Sequence, residues 1–275
     1  MYKSIREIRR EANVALSGRR GIYILMFTLS MAVSSALGAS GLLSLIGTVL
    51  SVLFQVGMFT FLLKLCCGQK DQAQFNDLFY VFRTQNGEAG KSILLYLLQA
   101  LYILPASIIY ALLVMVFLFA ESEAIMDLDM LATASLSIGS IIFTSLALIV
   151  FFIYVLNIAI TYSMVFFILL DYPNLKVQEI WKRSCKILKG NRWRYVRLEL
   201  GYMIWYIIPV AMLTTAAVFS NPLLVIPGVV LSILCTLYVT PSMHCARTLF
   251  YLDLVQKHTR TVEPVVEDIF IAPTE

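Results

Sequence analysis

Three places in the chain hold side chains of the kind that perform reactions. His244 is followed directly by Cys245, Cys66 by Cys67, and Glu199 stands two residues after Arg197 at the start of an apolar run. A histidine beside a thiol suggests a nucleophile with its base, or two ligands of a metal. The spacing suits neither. Adjacent residues on a helix point about 100° apart, which keeps His244 from activating Cys245 by a direct hydrogen bond, and a nucleophile pair also needs a third group to orient the base. A metal site needs three or four ligands; His258 is the only other histidine, and the chain has no CxxC or HExxH pattern. Phosphate-binding glycine loops are absent as well. Glu199 reads as the structural partner of a nearby arginine. The Cys66–Cys67 pair reads as two small apolar residues at a span end, with acylation as the alternative. The acidic stretch Glu121, Glu123, Asp127 and Asp129 reads as a solvated loop, with weak cation contact as the alternative. No catalytic, cofactor-binding or metal residue is assigned, and no cofactor is expected.

The elements that would carry these residues are written in the hydropathy. Apolar residues make up 60% of the chain and charged residues 14%, against about 45–50% and about 25% in soluble domains. Residues 22–37, 42–63, 92–120, 138–160, 200–219 and 223–246 form six runs long enough for helical spans. Backbone polar groups in lipid must be paired within the segment, which makes these runs helices. The expected fold is all-α: a polytopic membrane helix bundle of about six transmembrane helices, one membrane domain over residues 1–255, with a flexible cytosolic tail at 256–275. Residues 131–170 contain no charge over about 60 Å of helix and read as one span or as a hairpin. A hairpin would carry the eight Lys and Arg of 171–197 to the outer face, against the preference of basic residues for the cytosol. One span near 138–160 is therefore expected, with Asn157, Thr161, Tyr162 and Ser163 continuing through the cytosolic interface.

All twenty-one Lys and Arg then fall on one side, which places both termini in the cytosol of a multi-pass cell-membrane protein. The first run has a basic start and a cleavable Ala36-Leu37-Gly38, as a signal peptide would. The long helix-patterned stretch before it favours a retained span. Over residues 22–63, 92–120, 131–170 and 200–243 there is no Asp, Glu, Lys, Arg or His. Buried ionisable groups mark ion and proton pathways, so coupled pumps and voltage sensors are disfavoured. Gln55, Gln99 and Asn157 are the intramembrane polar groups. They suit hydrogen bonds between helices, or the lining of a solute path.

The chain also echoes itself. Residues 7–23, EIRREANVALSGRRGIY, align without a gap to residues 179–195, EIWKRSCKILKGNRWRY. Both are basic helices that stop at a glycine before a span. Ile5, Ile8, Ala12, Ala15 and Leu16 share one helical face, as do Val177, Ile180, Trp181, Ser184, Ile187 and Leu188. Amphipathic helices are expected at about 3–17, 74–83 and 174–189, the last with Asn174 as N-cap and Gly190 as stop. Two roles stay open for them. They lie in the interface with the apolar face in lipid and the basic face toward anionic headgroups, or they pack on the protein's own spans. Trp181, Lys182, Arg183, Lys186, Lys189, Arg192, Trp193 and Arg194 are the candidate contacts to lipid or to a protein partner. Nucleic acid is not an expected partner for a patch pinned at the membrane.

Residues 162–200 carry a family likeness. Tyr162-Ser163-Met164, the turn with Asp171 and Pro173, the basic helix ending Lys189-Gly190 and the step Trp193-Arg194 resemble the bacterial membrane family catalogued as domain of unknown function number 975. The opening IREIRREANVALSG resembles that family's start, which extends the likeness over about 1–255. The chain departs from it in a longer, less Pro-rich fourth span and in the tail. The resemblance implies a Gram-positive cytoplasmic membrane and supplies no activity. The layout is also faintly similar to the membrane region attached to some glycerophosphodiester phosphodiesterases. The functional expectation is a non-catalytic membrane scaffold or accessory subunit; the alternative is a permease component for a small or lipidic solute.

Overall fold

The computed structural model describes residues 2–38, 41–84, 87–126, 130–219 and 222–261, and no strand occurs among them. The helices are α1 (Ile5–Leu16), α2 (Arg20–Gly38), α3 (Gly41–Cys66), α4 (Tyr80–Arg83), α5 (Glu88–Met126), α6 (Met130–Ser163), α7 (Val165–Asp171), α8 (Val177–Leu188), α9 (Arg192–Val218) and α10 (Pro222–Thr261). Six segments are long and apolar enough to cross a membrane: Arg20–Gly38, Leu43–Cys66, Glu88–Val116, Ile142–Asp171, Arg192–Ala216 and Val225–Gln256. Their large apolar side chains stay exposed, as at Leu97, Ile204 and Ile226. Such a surface is unfavourable in water and matches the hydrocarbon of a bilayer. The protein is a multi-pass membrane helix bundle.

The echo in the sequence is an echo in the structure. The bounds of α1 and α8 stand 172 residues apart at both ends, and so do the starts of α2 and α9. In α1 the Glu7 N–H donates to the Ser4 hydroxyl at 3.2 Å, and the Ser4 N–H donates to the Glu7 carboxylate at 2.7 Å. This reciprocal cap satisfies two donors that the first turn leaves open. The Ser4 N–H, and after it the Ser4 hydroxyl, hold the Glu7 carboxyl below its ordinary pKa. In α8 the Lys176 N–H donates to Glu179 at 3.2 Å, so the N-cap is Lys176 rather than Asn174. Both helices stop at a glycine of positive φ, 82° at Gly18 and 84° at Gly190, where other residues are strained.

The buried faces also correspond. Ile8, Ala12 and Leu16 are fully buried, as are Ile180, Ser184 and Leu188. Helix α1 lies on α10 and α3, and α8 on α7 and α10. Full burial of an Ile or Leu is worth about 1.5–3 kcal/mol relative to water, which suffices to dock a 12-residue helix. The apolar faces are thus covered by the protein's own helices. Of the two roles left open in the sequence, packing is the one these faces perform, and they are not available for insertion into lipid.

Three expected elements differ. Residues 74–83 are not a regular amphipathic helix. They form a 3-10 helix, Phe75–Phe79, and the single turn α4. The backbone here runs against α3, where a Cβ at Gly57 would lie 2.3 Å from the Leu78 carbonyl oxygen. The fourth span does not run on through 161–170 as one long helix. The helix breaks after Ser163, and α7 buries Val165 to Leu169 completely or nearly so. Phe167 sits 4.6 Å from Phe59 and stacks on Tyr251 at 5.1 Å between ring centres. A short helix apolar on every side belongs in a core. Finally, α10 continues past 246 to Thr261, and Phe250, Tyr251 and Leu254 are buried.

The structure falls into two compact units, Met1–Ile93 with Met164–Glu275, and Leu94–Ser163. The first holds α1, α8 and all the contacts above. In the second, Tyr110 stacks on Phe151 at 5.0 Å and the Tyr154 hydroxyl donates to the Tyr102 carbonyl at 2.9 Å.

Candidate functional site

The eight residues singled out around α8 do not act together. Lys182, Lys186 and Lys189 follow the i, i+4, i+7 spacing of one helical stripe and are exposed. With Cys185, Gly190, Arg192 and Trp193 they line an open groove of about 780 Å³. No acidic residue lines it, and the three lysines form no ion pair among the described residues. Trp193 is 69% exposed at its edge. Trp181 is half-buried beside the stripe. The other two arginines are turned away. Arg183 lies flat on the Tyr172 ring at 3.8 Å. Arg194 pairs with Asp253 at 2.6 Å, donates to the Lys3 carbonyl and lies over the rings of Tyr2 and Phe250. Its planar fork is used for internal bracing, and Arg194 leaves the contact set for that reason.

The same bracing repeats across this end of the unit. Arg247 meets Glu199 with two bonds, 2.6 and 2.8 Å. Arg9 donates to the Arg197 and Leu198 carbonyls at 3.3 and 3.2 Å and lies over Tyr202. Arg20 donates to Asn13 at 3.1 Å and to Ser242 at 3.3 Å. Arg9 and Arg20 tie α1 to α9 and α10, and Arg247 ties α10 to α9. Glu199 finds its partner 48 residues away in sequence, not in neighbouring Arg197.

The residues with reactive chemistry each have a hydrogen-bond partner of their own. Tyr23 and His244 Nδ1 share a hydrogen bond of 2.6 Å. The Asp171 carboxylate accepts from the Tyr251 hydroxyl. Cys66 and Cys245 approach to 3.5 Å between sulfurs, and all five cysteines are free. Burial, and then the Asp171 charge, raise the pKa of the Cys67 thiol, which leaves it a weak nucleophile. Among the described residues no three His, Cys, Asp or Glu side chains gather as a metal site requires. The acidic side chains at 121–129 lie outside the described residues.

The intramembrane polar groups fall in both units. Gln55 belongs to the first unit and is half-buried. Gln99 and Asn157 belong to the second, and the Asn157 amide donates to its own helix at the Ile153 carbonyl, 2.9 Å. The cavity in that unit, about 390 Å³, is walled by Ala106, Ile109, Tyr110, Phe143, Leu146 and Tyr154 among others, and neither Gln99 nor Asn157 lines it.

Sequence reasoning missed Asp253, Arg9 and Arg247 as structural charges. Cys245, Ala246, Phe250 and Leu254 continue the helical spacing of the last span past Arg247, which is the signal that α10 stays in the core there. A family model described as Protein of unknown function (DUF975) matches residues 1–258. No curated protein and no solved structure matches the chain.

Proposed function

The chain belongs to the DUF975 family of proteins of unknown function, and we propose that it is a non-catalytic scaffold or accessory subunit of the cytoplasmic membrane. In this reading α1, α8 and both termini face the cytosol, because every Lys and Arg flanks the same set of span ends. The observation that carries the proposal is the division of labour on α8. Its apolar face docks the helix, while Lys182, Lys186 and Lys189 stand outward beside Trp193 and brace nothing. Exposed, unpaired cations beside an exposed tryptophan are the chemistry of a contact surface. His244, Glu199 and Asp171 each bond a different side chain, which supports a role without catalysis.

The test uses the full-length protein in two settings. In native membranes, blue-native electrophoresis is expected to place the chain in a complex larger than itself. The triple variant K182E/K186E/K189E is expected to release it. In sealed liposomes the purified protein is expected to give no solute or lipid-probe flux above empty vesicles. Flux that depends on Gln99 or Asn157 would overturn the reading in favour of a permease, and migration unchanged by charge reversal would remove the α8 face from the function.

A further inference from the structure

Resting on the reading of α8 as a contact surface, we propose that the α8–α9 elbow binds one anionic glycerophospholipid. The phosphate sits in the basic groove and an acyl chain lies along the outer face of α9. The groove offers about 780 Å³, within the roughly 300–1,000 Å³ usual for small-ligand sites. Lys182, Lys186, Lys189 and Arg192 supply its charge. Helix α9 begins at Arg192, so the positive end of its dipole adds to the same field.

What distinguishes a lipid from free phosphate is the surface that continues from the groove. Trp193, Leu200, Ile204, Ile207 and Ile208 fall on one face of α9, and each is between 49% and 69% exposed. The opposite face, with Tyr195, Leu198 and Tyr202, is buried. Trp193 belongs to both the groove and the stripe. Its ring suits the level where headgroup meets hydrocarbon. A cationic pocket that opens onto an apolar stripe has the shape of an amphiphile.

The duplicated elbow shows that the fold does not require these residues. At the α1–α2 elbow Lys182 has a basic counterpart in Arg10, while the positions of Lys186, Lys189 and Trp193 are held by Val14, Ser17 and Gly21. The counterpart of Arg192 is Arg20, which turns inward to Asn13 and Ser242. The same helix, the same left-handed glycine and the same following span form without Lys186, Lys189 or the indole. The second elbow carries them as an addition to a scaffold that is complete without them.

The test is retention of lipid by the purified full-length protein, read by native mass spectrometry after exchange into equimolar phosphatidylglycerol and phosphatidylcholine. The wild type is expected to keep phosphatidylglycerol in preference. A Lys near an anionic surface contributes about a factor of five, so K182Q/K186Q/K189Q is expected to lose the preference by roughly a hundredfold. Trp193→Ala is expected to weaken retention of both lipids. An unchanged melting temperature would show that the variants are folded, since all four side chains are exposed. Equal retention by wild type and triple variant would overturn the proposal. So would displacement of the lipid by millimolar inorganic phosphate, which would mark a site for phosphate alone. The complex seen in native membranes is a separate readout, and its absence would sink the scaffold reading without touching lipid selectivity.

Discussion

Arg247 carries a charge into a region that is largely closed to water, with its side chain 20% exposed and that of Glu199 10% exposed. The two parallel bonds between them make the arrangement tolerable, because each ion keeps a full partner. Removing one partner strands the other. Arg247→Ala is expected to destabilise the protein by about 3–5 kcal/mol, read as a fall in the unfolding transition in detergent. The double variant Arg247→Met, Glu199→Gln is expected to recover most of that loss, since no charge is then left unpaired. Cys66 and Cys245 make a second residue-scale prediction. Their sulfurs, 3.5 Å apart, need only a small rotation to reach the roughly 2.05 Å of a disulfide, and Cys66 opens onto a groove with Glu7, Arg10 and Glu11. Diamide takes up the two electrons and two protons as it becomes the hydrazine. It is expected to link the two peptides in a non-reducing digest, and Cys245→Ser to abolish the link. No link under exhaustive diamide would contradict the contact of α3 with α10. Neither pair was visible in the sequence. Partners 48 and 179 residues apart leave no periodic trace, and adjacency drew attention to His244 with Cys245 instead.

At the scale of elements, the duplicated basic helices were legible because a docked helix must repeat its apolar residues every three or four positions. Ile8, Ala12 and Leu16 do so, and so do Ile180, Ser184 and Leu188. Helix α7 was misplaced for the opposite reason. Met164 to Leu170 is apolar on all sides, and a run with no polar face carries no orientation. Residues 74–83 were misjudged because Phe75, Leu78, Phe79 and Phe82 show helical spacing, while the close approach to Gly57 enforces a tighter winding. That approach is testable. A methyl at Gly57 would meet the Asp77 and Leu78 carbonyls at 2.7 and 2.3 Å. Backbone atoms cannot swing aside, so Gly57→Ala is expected to cost about 1–3 kcal/mol or more and to loosen the 3-10 segment, read as faster amide exchange there. The cap of α1 makes a pH prediction. Because Glu7 has its pKa lowered in the fold, its stabilising contribution is present above the unfolded carboxylate pKa of about 4.3 and is lost as pH falls through the folded value. The difference in melting temperature between wild type and Glu7→Gln is expected to close as pH drops through the acid range.

For the molecule as a whole, the span count sets everything else. With six crossings, a lone cysteine introduced at 186 is expected to react with an impermeant maleimide only from the cytosol, and one at 125 only from outside. Labelling of both from one side would remove the orientation and the role of the α8 face with it. The number of spans was readable from composition because lipid demands about 20 apolar residues for each helix. The groove was readable only in part. Charge spacing along α8 identified Lys182, Lys186 and Lys189, but nothing in the sequence told that Arg194 would turn inward to Asp253.

The enclosure of α7 bears on how the chain is made. Phe59, made before Phe167, covers one side of it, and Tyr251, made well after, covers another. While a ribosome is still extending the polypeptide, that aromatic plug waits with half its wrapping. A translation product halted before residue 251 would display it bare, the sort of patch that membrane quality-control proteases seize. Closure over Phe167 therefore waits for the synthesis of α10.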